Sequence, residues 1–148
     1  MSSSFELRAA TPDDHNAVFA LYENLFRHHV ERIWGWDPAW QTANFIKEWQ
    51  TTRTDLILIP HGLSGYLQVK SEPDHDYILS LGILPESQGQ GIGRRIVADL
   101  MQAAASRGMP LRLSVFRTNS RALEFYESLG FQTTTETPEF HRLEWTAN

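Results

Sequence analysis

With 148 residues, 41% of them hydrophobic and 21% charged, the chain has the size and composition of one soluble globular domain spanning residues 1–148. A net charge of −5 argues against nucleic acid as the main partner, and the absence of cysteine excludes a disulfide framework, a thiolate metal site and a cysteine nucleophile. No run approaches the ~18 apolar residues of a membrane span and the N-terminus lacks the apolar core of a signal peptide, so a cytoplasmic protein without a membrane partner is expected.

Phe5–Ala10 reads as a first strand. Thr11-Pro12-Asp13-Asp14 then opens a helix: Thr11 can cap, Pro12 suits the first helical position, and two acids favour its positive end. Val18, Leu21, Tyr22, Leu25 and His29 continue it as a stripe at helical spacing. Trp34-Gly35-Trp36 interrupts, Asp37-Pro38 caps a second helix, and Phe45, Ile46 and Trp49 supply its apolar face. Three tryptophans within seven residues (Trp34, Trp36, Trp40) fit either an aromatic wall for an amine or two helices wedged onto a sheet by large side chains. His28, His29 and Glu31 at the first helix end fall short of the three or four converging ligands of a metal site, so no metal is expected.

Asp55–Lys70 divides into two strands about a turn at His61-Gly62, and Ser71–Asp76 is a polar turn. Tyr77–Leu84 is apolar almost throughout, as in a strand covered on both faces. A glycine stretch, PESQGQGIGRR, comes next, and Ile92, Ile96, Val97, Leu100, Met101 and Ala104 then mark a helix that Gly108 and Pro110 end. Leu111–Phe116 is another strand. Asn119 starts a helix carrying Ala122, Phe125, Tyr126 and Leu129, Gly130 stops it, and the last segment forms two strands or a hairpin. The order β-α-α-β-β-β-α-β-α-β-β describes an α/β domain on a mixed sheet.

Gly89, Gly91 and Gly93 fall at every second position, each carrying a conformational entropy cost of roughly 0.5–1 kcal/mol. A strand, a glycine loop and a helix start together form an anion site, because unpaired N–H groups and the helix dipole converge on one point. The dinucleotide fingerprint fails, since the sixth position from Gly89 is Arg94, and a P-loop fails for want of lysine. These failures disfavour a Rossmann-type nucleotide domain.

The stretch does fit Q-x-x-G-x-G through Gln88, Gly91 and Gly93, and a second pattern, N-x-x-A-x-x-x-Y-x-x-x-G-F, is met by Asn119, Ala122, Tyr126, Gly130 and Phe131. In this order, each on an element of the right type, the pair resembles the GNAT superfamily of N-acetyltransferases over about residues 77–132. The resemblance implies a mixed, mostly antiparallel sheet of six or seven strands flanked by four helices, with one splayed pair of parallel strands. It implies acetyl-CoA as cosubstrate, with the pantetheine arm paired to backbone near Leu81 and Ile83. The diphosphate would lie on the N–H groups of Gln88, Gly89, Gln90, Gly91, Ile92, Gly93 and Arg94. Asn119 would bond the pantetheine arm, or act only as a helix cap. Tyr126, otherwise a core tyrosine by its stripe, would donate a proton to the departing thiolate.

The same resemblance implies acetyl transfer to a primary amine of a small molecule or peptide by direct attack in a ternary complex. The alternative is a non-catalytic CoA or acyl-CoA sensor. Similar proteins often pair through a sheet edge, so a homodimer is among the expectations. Some members carry a glutamate base at the start of the fourth strand. This chain has Tyr77 there, after Asp74, His75 and Asp76, so the base is unassigned, with His141 a further candidate. Trp34, Trp36 and Tyr77 are the candidate acceptor contacts, and Ser80 or Gly82 the candidate bulge that begins the splay.

Overall fold

In a computed structural model, which describes residues 4–147, the chain forms β1 (Glu6–Ala9), α1 (His15–Ile33), α2 (Pro38–Thr51), β2 (Arg53–Ile59), β3 (Gly62–Ser71) and β4 (Asp76–Ile83). There follow α3 (Ile92–Ser106), β5 (Leu111–Phe116), α4 (Ser120–Ser128), β6 (Gln132–Glu136) and β7 (Phe140–Trp145). This is the element order read from the sequence. Short 3-10 turns at Pro12–Asp14 and Pro85–Ser87 precede α1 and α3. The strands hydrogen-bond in the order β1-β2-β3-β4-β5-β7-β6. β4 and β5 form a parallel pair, in register at Asp76↔Leu111, Tyr77↔Arg112 and Ile78↔Leu113, although β5 continues to Phe116. No helix among the described residues is long and apolar enough to cross a membrane.

The chain divides into two compact units. One is built from the chain up to Val69 together with Ser80–Gly93. In it Val18 and Leu21 of α1, Phe45 of α2, Leu56 of β2 and Tyr66 of β3 are buried together. The Thr11-Pro12 signal opens the short 3-10 turn that leads into α1, and in it the Asp14 carboxylate accepts the Thr11 N–H at 2.9 Å. α2 is capped by Asp37, which accepts the Trp40 N–H at 3.1 Å. Ile46 departs from its predicted place. It is 44% exposed, because one residue of helical rotation past buried Phe45 turns it outward. Gln41 occupies the buried position a turn earlier.

Glycine at two strand positions is a packing requirement. A Cβ on Gly65 would lie 2.2 Å from the Gly82 carbonyl oxygen, and one on Gly82 would lie 2.8 Å from both Leu25 Cδ1 and Tyr66 Cε1. Gly82 therefore admits the α1 side chains and the Tyr66 ring, a role beyond the strand bulge the sequence suggested. Ser80 hydrogen-bonds the buried Tyr66 hydroxyl at 2.7 Å.

The other unit is built from Lys70–Leu79 and the chain from Arg94 on. Leu111, Leu113 and Val115 are buried on alternate positions of β5, with Leu143 of β7 opposite Leu113. Asp76, expected in a polar turn, begins β4 instead, where it is buried and ion-paired with Arg107 of α3. The two-sided burial expected of β4 is partial: Asp76, Ile78 and Gly82 are buried, while Tyr77, Leu79, Leu81 and Ile83 are half-buried.

Candidate functional site

The loop from Pro85 to Gly91 is shaped by two positive backbone angles, φ +76° at Gly89 and +85° at Gly91. An added Cβ would meet nothing within 4 Å at either position, so conformation and not space demands glycine there. Gly93 differs: it lies in the first turn of α3 and lacks the positive φ of the other two. The Gln88 N–H, one of the predicted anion-binding set, donates to the Pro85 carbonyl at 3.2 Å. Its side chain turns back, the amide donating to the Ile83 carbonyl at 2.7 Å, and so ties the loop to the end of β4. The Gln90 amide donates likewise to the Glu86 carbonyl at 3.2 Å. Ile92 is buried and seats the start of α3, whose first N–H groups have no carbonyl one turn behind them. The result is an exposed backbone turn that leads into the N-terminus of α3.

Arg94 is exposed and donates to the Ser128 hydroxyl at 3.1 Å. Asn119 caps α4, its Oδ1 accepting the Ala122 N–H at 3.1 Å. That cap engages the side-chain oxygen as acceptor; the amide nitrogen is the donor end. Tyr126 is 8% exposed and packs edge-on between Phe125 and Phe131, centroids 5.0 and 5.4 Å away. Burial pushes its phenol well above the ordinary tyrosine range.

The other candidates separate. Tyr77 is half-buried, and its hydroxyl donates to Ser114 of β5 at 3.2 Å. His75 Nδ1 lies 2.7 Å from Asp74 and 3.4 Å from Arg112, while Asp76 is ion-paired with Arg107. His141 Nδ1 lies 3.1 Å from Glu136 but is not aligned as a hydrogen bond. At the α1 end Glu31 pairs with Arg27 at 2.5 Å, and the His28 and His29 rings are 3.9 Å apart. No group of three or more metal-ligating side chains occurs among the described residues.

The tryptophans do not wedge the helices as a set. Trp34 and Trp40 are 54% and 58% exposed, whereas Trp36 stands 6.0 Å from the Tyr22 ring with the Arg27 guanidinium 5.0 Å from its own centroid. A polar stripe instead enters the aromatic layer. Gln41, Asn44 and Glu48 recur on α2 at i, i+3 and i+7 beside Phe45. That spacing is visible in the sequence, but the residue types read as a solvated helix face.

A family model described as the acetyltransferase (GNAT) family matches residues 15–131. The chain is 33% identical over 102 residues to the N-alpha-acetyltransferase RimI of Mycobacterium tuberculosis, covering 65% of this chain and 63% of that one. Among the first curated relatives the matched stretch spans only 39% to 63% of their length. The PaiA N-acetyltransferase of Thermoplasma acidophilum, solved in complex with coenzyme A, shares the fold at TM-score 0.74 and 18% identity, over 95% of this chain and 98% of that one. Naa50 of Arabidopsis thaliana, solved with the bisubstrate analogue CoA-Ac-MVNAL, does so at TM-score 0.70 and 19% identity, over 96% and 98%.

Proposed function

The chain belongs to the acetyltransferase (GNAT) family, and from that premise we propose that it moves an acetyl group from acetyl-CoA to a primary amine of a small molecule or peptide, by direct attack in a ternary complex. The observation that carries this reading is the backbone turn at Gly89 and Gly91, with positive φ at both, leading into α3. Such a turn suits a diphosphate, which takes backbone N–H groups and the positive end of a helix dipole as partners. In this reading the N–H groups of Gly89, Gln90, Gly91, Ile92, Gly93 and Arg94 hold the diphosphate, and the pantetheine arm runs along the backbone at Leu81 and Ile83. The Asn119 amide donates to that arm.

The amine nitrogen attacks the thioester carbonyl carbon. The C–N bond forms, the C–S bond breaks, and the products are an amide and the free thiol. An alkylammonium of pKa about 10.4 is only about 0.04% neutral at pH 7, so its proton must first pass to a base or water. The ion pair of Asp76 with Arg107 argues against Asp76 as that base. Tyr126 donates a hydrogen bond to the departing sulfur.

The direct test mixes the protein with acetyl-CoA and a panel of amines and follows free thiol, with coenzyme A binding measured by calorimetry. Amine-dependent thiol release is expected. Coenzyme A binding with no release for any amine would instead make the chain a coenzyme A sensor, and no binding at all would refute the reading.

Two variants sharpen it. Gly91→Ala puts an L-residue at φ +85°, a strain of about 1–2 kcal/mol with no steric clash to accompany it. The chain should stay folded while coenzyme A affinity falls roughly ten-fold, the loop relieving its strain by leaving the binding conformation. Asn119→Asp keeps the cap oxygen and removes the amide donor. Melting should be unchanged, since Asn and Asp cap equally well, while coenzyme A binds several-fold more weakly. Wild-type affinity in this variant would leave Asn119 a cap alone.

A further inference from the structure

α2 carries part of its polarity on the wrong side for a surface helix. Its inward face includes Gln41, 5% exposed and bonded by the Tyr22 hydroxyl, and half-buried Asn44 and Glu48, while Trp40 and Ile46 stand 58% and 44% exposed. A helix packed on a core ordinarily turns its charged and polar groups outward. The outward face here is Ala39, Trp40, Ala43, Ile46, Lys47 and Gln50, all exposed. It holds no acid, although the chain as a whole has a net charge of −5. Exposed apolar side chains scattered singly need no explanation, but a continuous stripe of them marks a surface that another molecule covers.

The pattern within the stripe defines that molecule. An α-helix turns ~100° per residue, which puts Ala43 at the centre of the face, Trp40 and Lys47 to one side and Ala39 and Ile46 to the other. We propose that α2 is a self-association surface, on which a second copy of the chain docks its own α2, antiparallel and crossing at Ala43. In such a two-fold pair, if one residue meets another, the reverse contact also forms. Ala43 meets the second copy's Ala43, and with so little bulk there the two helix axes can approach to about 8 Å. Ile46 packs against the second copy's Ala39, large against small. Trp40 lies beside the second copy's Lys47, whose stem covers the ring and whose ammonium gains cation–π attraction. The face is thus complementary to itself, and two acidic chains bring no carboxylates together on it. This surface differs from a sheet edge, and its use does not depend on acetyl transfer.

One helix pair is a small interface, so the complex should be weak and reversible. Sedimentation velocity of the full chain over a concentration series should show monomer giving way to dimer. Ala43→Arg places a long cation at the crossing point. Arginine is a good helix former, so the melting temperature should hold while the chain stays monomeric throughout. Lys47→Gln removes two symmetric cation–π contacts at once and should raise the dimer dissociation constant about ten-fold. A wild type that is monomeric at every concentration, or a dimer that survives Ala43→Arg, overturns the inference. Should Ala43→Arg melt, Ala43→Cys serves. The chain has no cysteine of its own, so mild oxidation should yield a disulfide-linked dimer from Ala43→Cys and none from Gln102→Cys, an exposed position on α3. Equal cross-linking of the two, or none in either, overturns the inference as well.

Discussion

Tyr126→Phe is expected to lower kcat at least about ten-fold, a floor below the roughly 10²-fold at which full general acid–base catalysis begins, while acetyl-CoA affinity stays within about two-fold of wild type. Only the hydroxyl is lost. The edge-on contacts with Phe125 and Phe131 need the ring alone, so the core and the melting temperature should hold. The expected size follows from acidity. A leaving thiol with pKa about 8.5 is a stronger acid than a tyrosine at about 10, so full transfer from an ordinary tyrosine is already uphill by roughly 2 kcal/mol. Burial raises Tyr126 further, which makes it a hydrogen-bond donor to the forming thiolate rather than a source of a fully transferred proton. The same shift has a pH consequence. A phenol held above its ordinary value stays protonated up to and beyond pH of about 10, so the wild-type rate should show no alkaline limb from Tyr126 below that. Steady-state kinetics with thiol detection, beside calorimetry of acetyl-CoA binding, checks both statements. Unchanged turnover in Tyr126→Phe would remove the residue from the chemistry.

Gly65→Ala should be the most damaging small substitution in the sheet. The new Cβ would stand 2.2 Å from the Gly82 carbonyl oxygen and 3.1 Å from Ile83 Cα. These are backbone atoms, so no side-chain rotation relieves the contact, and β3 and β4 must separate locally. Overpacking usually costs 1–3 kcal/mol, and a backbone obstacle places this case at about the upper end. At roughly 3 kcal/mol the melting temperature should fall on the order of 10 °C, readable by scanning calorimetry. The displaced backbone is Gly82–Ile83, where the pantetheine arm is proposed to run. Coenzyme A affinity should therefore fall below the folding temperature too. A melting temperature within a degree or two of wild type would show that β3 and β4 adjust freely.

Particular residues mark how far the sequence carried. The glycine loop and the Asn119-to-Phe131 pattern were legible because backbone angles and caps are local: a positive φ at Gly89 and Gly91, the α4 cap at Asn119 and the stop at Gly130 follow from neighbouring residues alone. The bond from the Gln88 N–H to the Pro85 carbonyl was not legible, because the Pro85–Ser87 turn that makes it is too short to leave a periodicity. Ile46 was misplaced because hydrophobicity names a side chain's preference and not its direction. Asp76 read as part of a turn because its partner, Arg107, lies on another element.

The order of elements, the family and the glycine turn were written into the chain itself, since helix periodicity, caps and glycine angles depend on residues within a few positions of one another. Which polar groups become buried was decided only by tertiary packing. Gln41 is buried because the Tyr22 hydroxyl meets it across two helices, Gly65 is obligatory because another strand's carbonyl presses on it, and Tyr126 holds its proton more tightly because aromatic rings exclude water from it. Each of these depends on desolvation or close contact between segments distant in sequence, and such contacts leave no local signature.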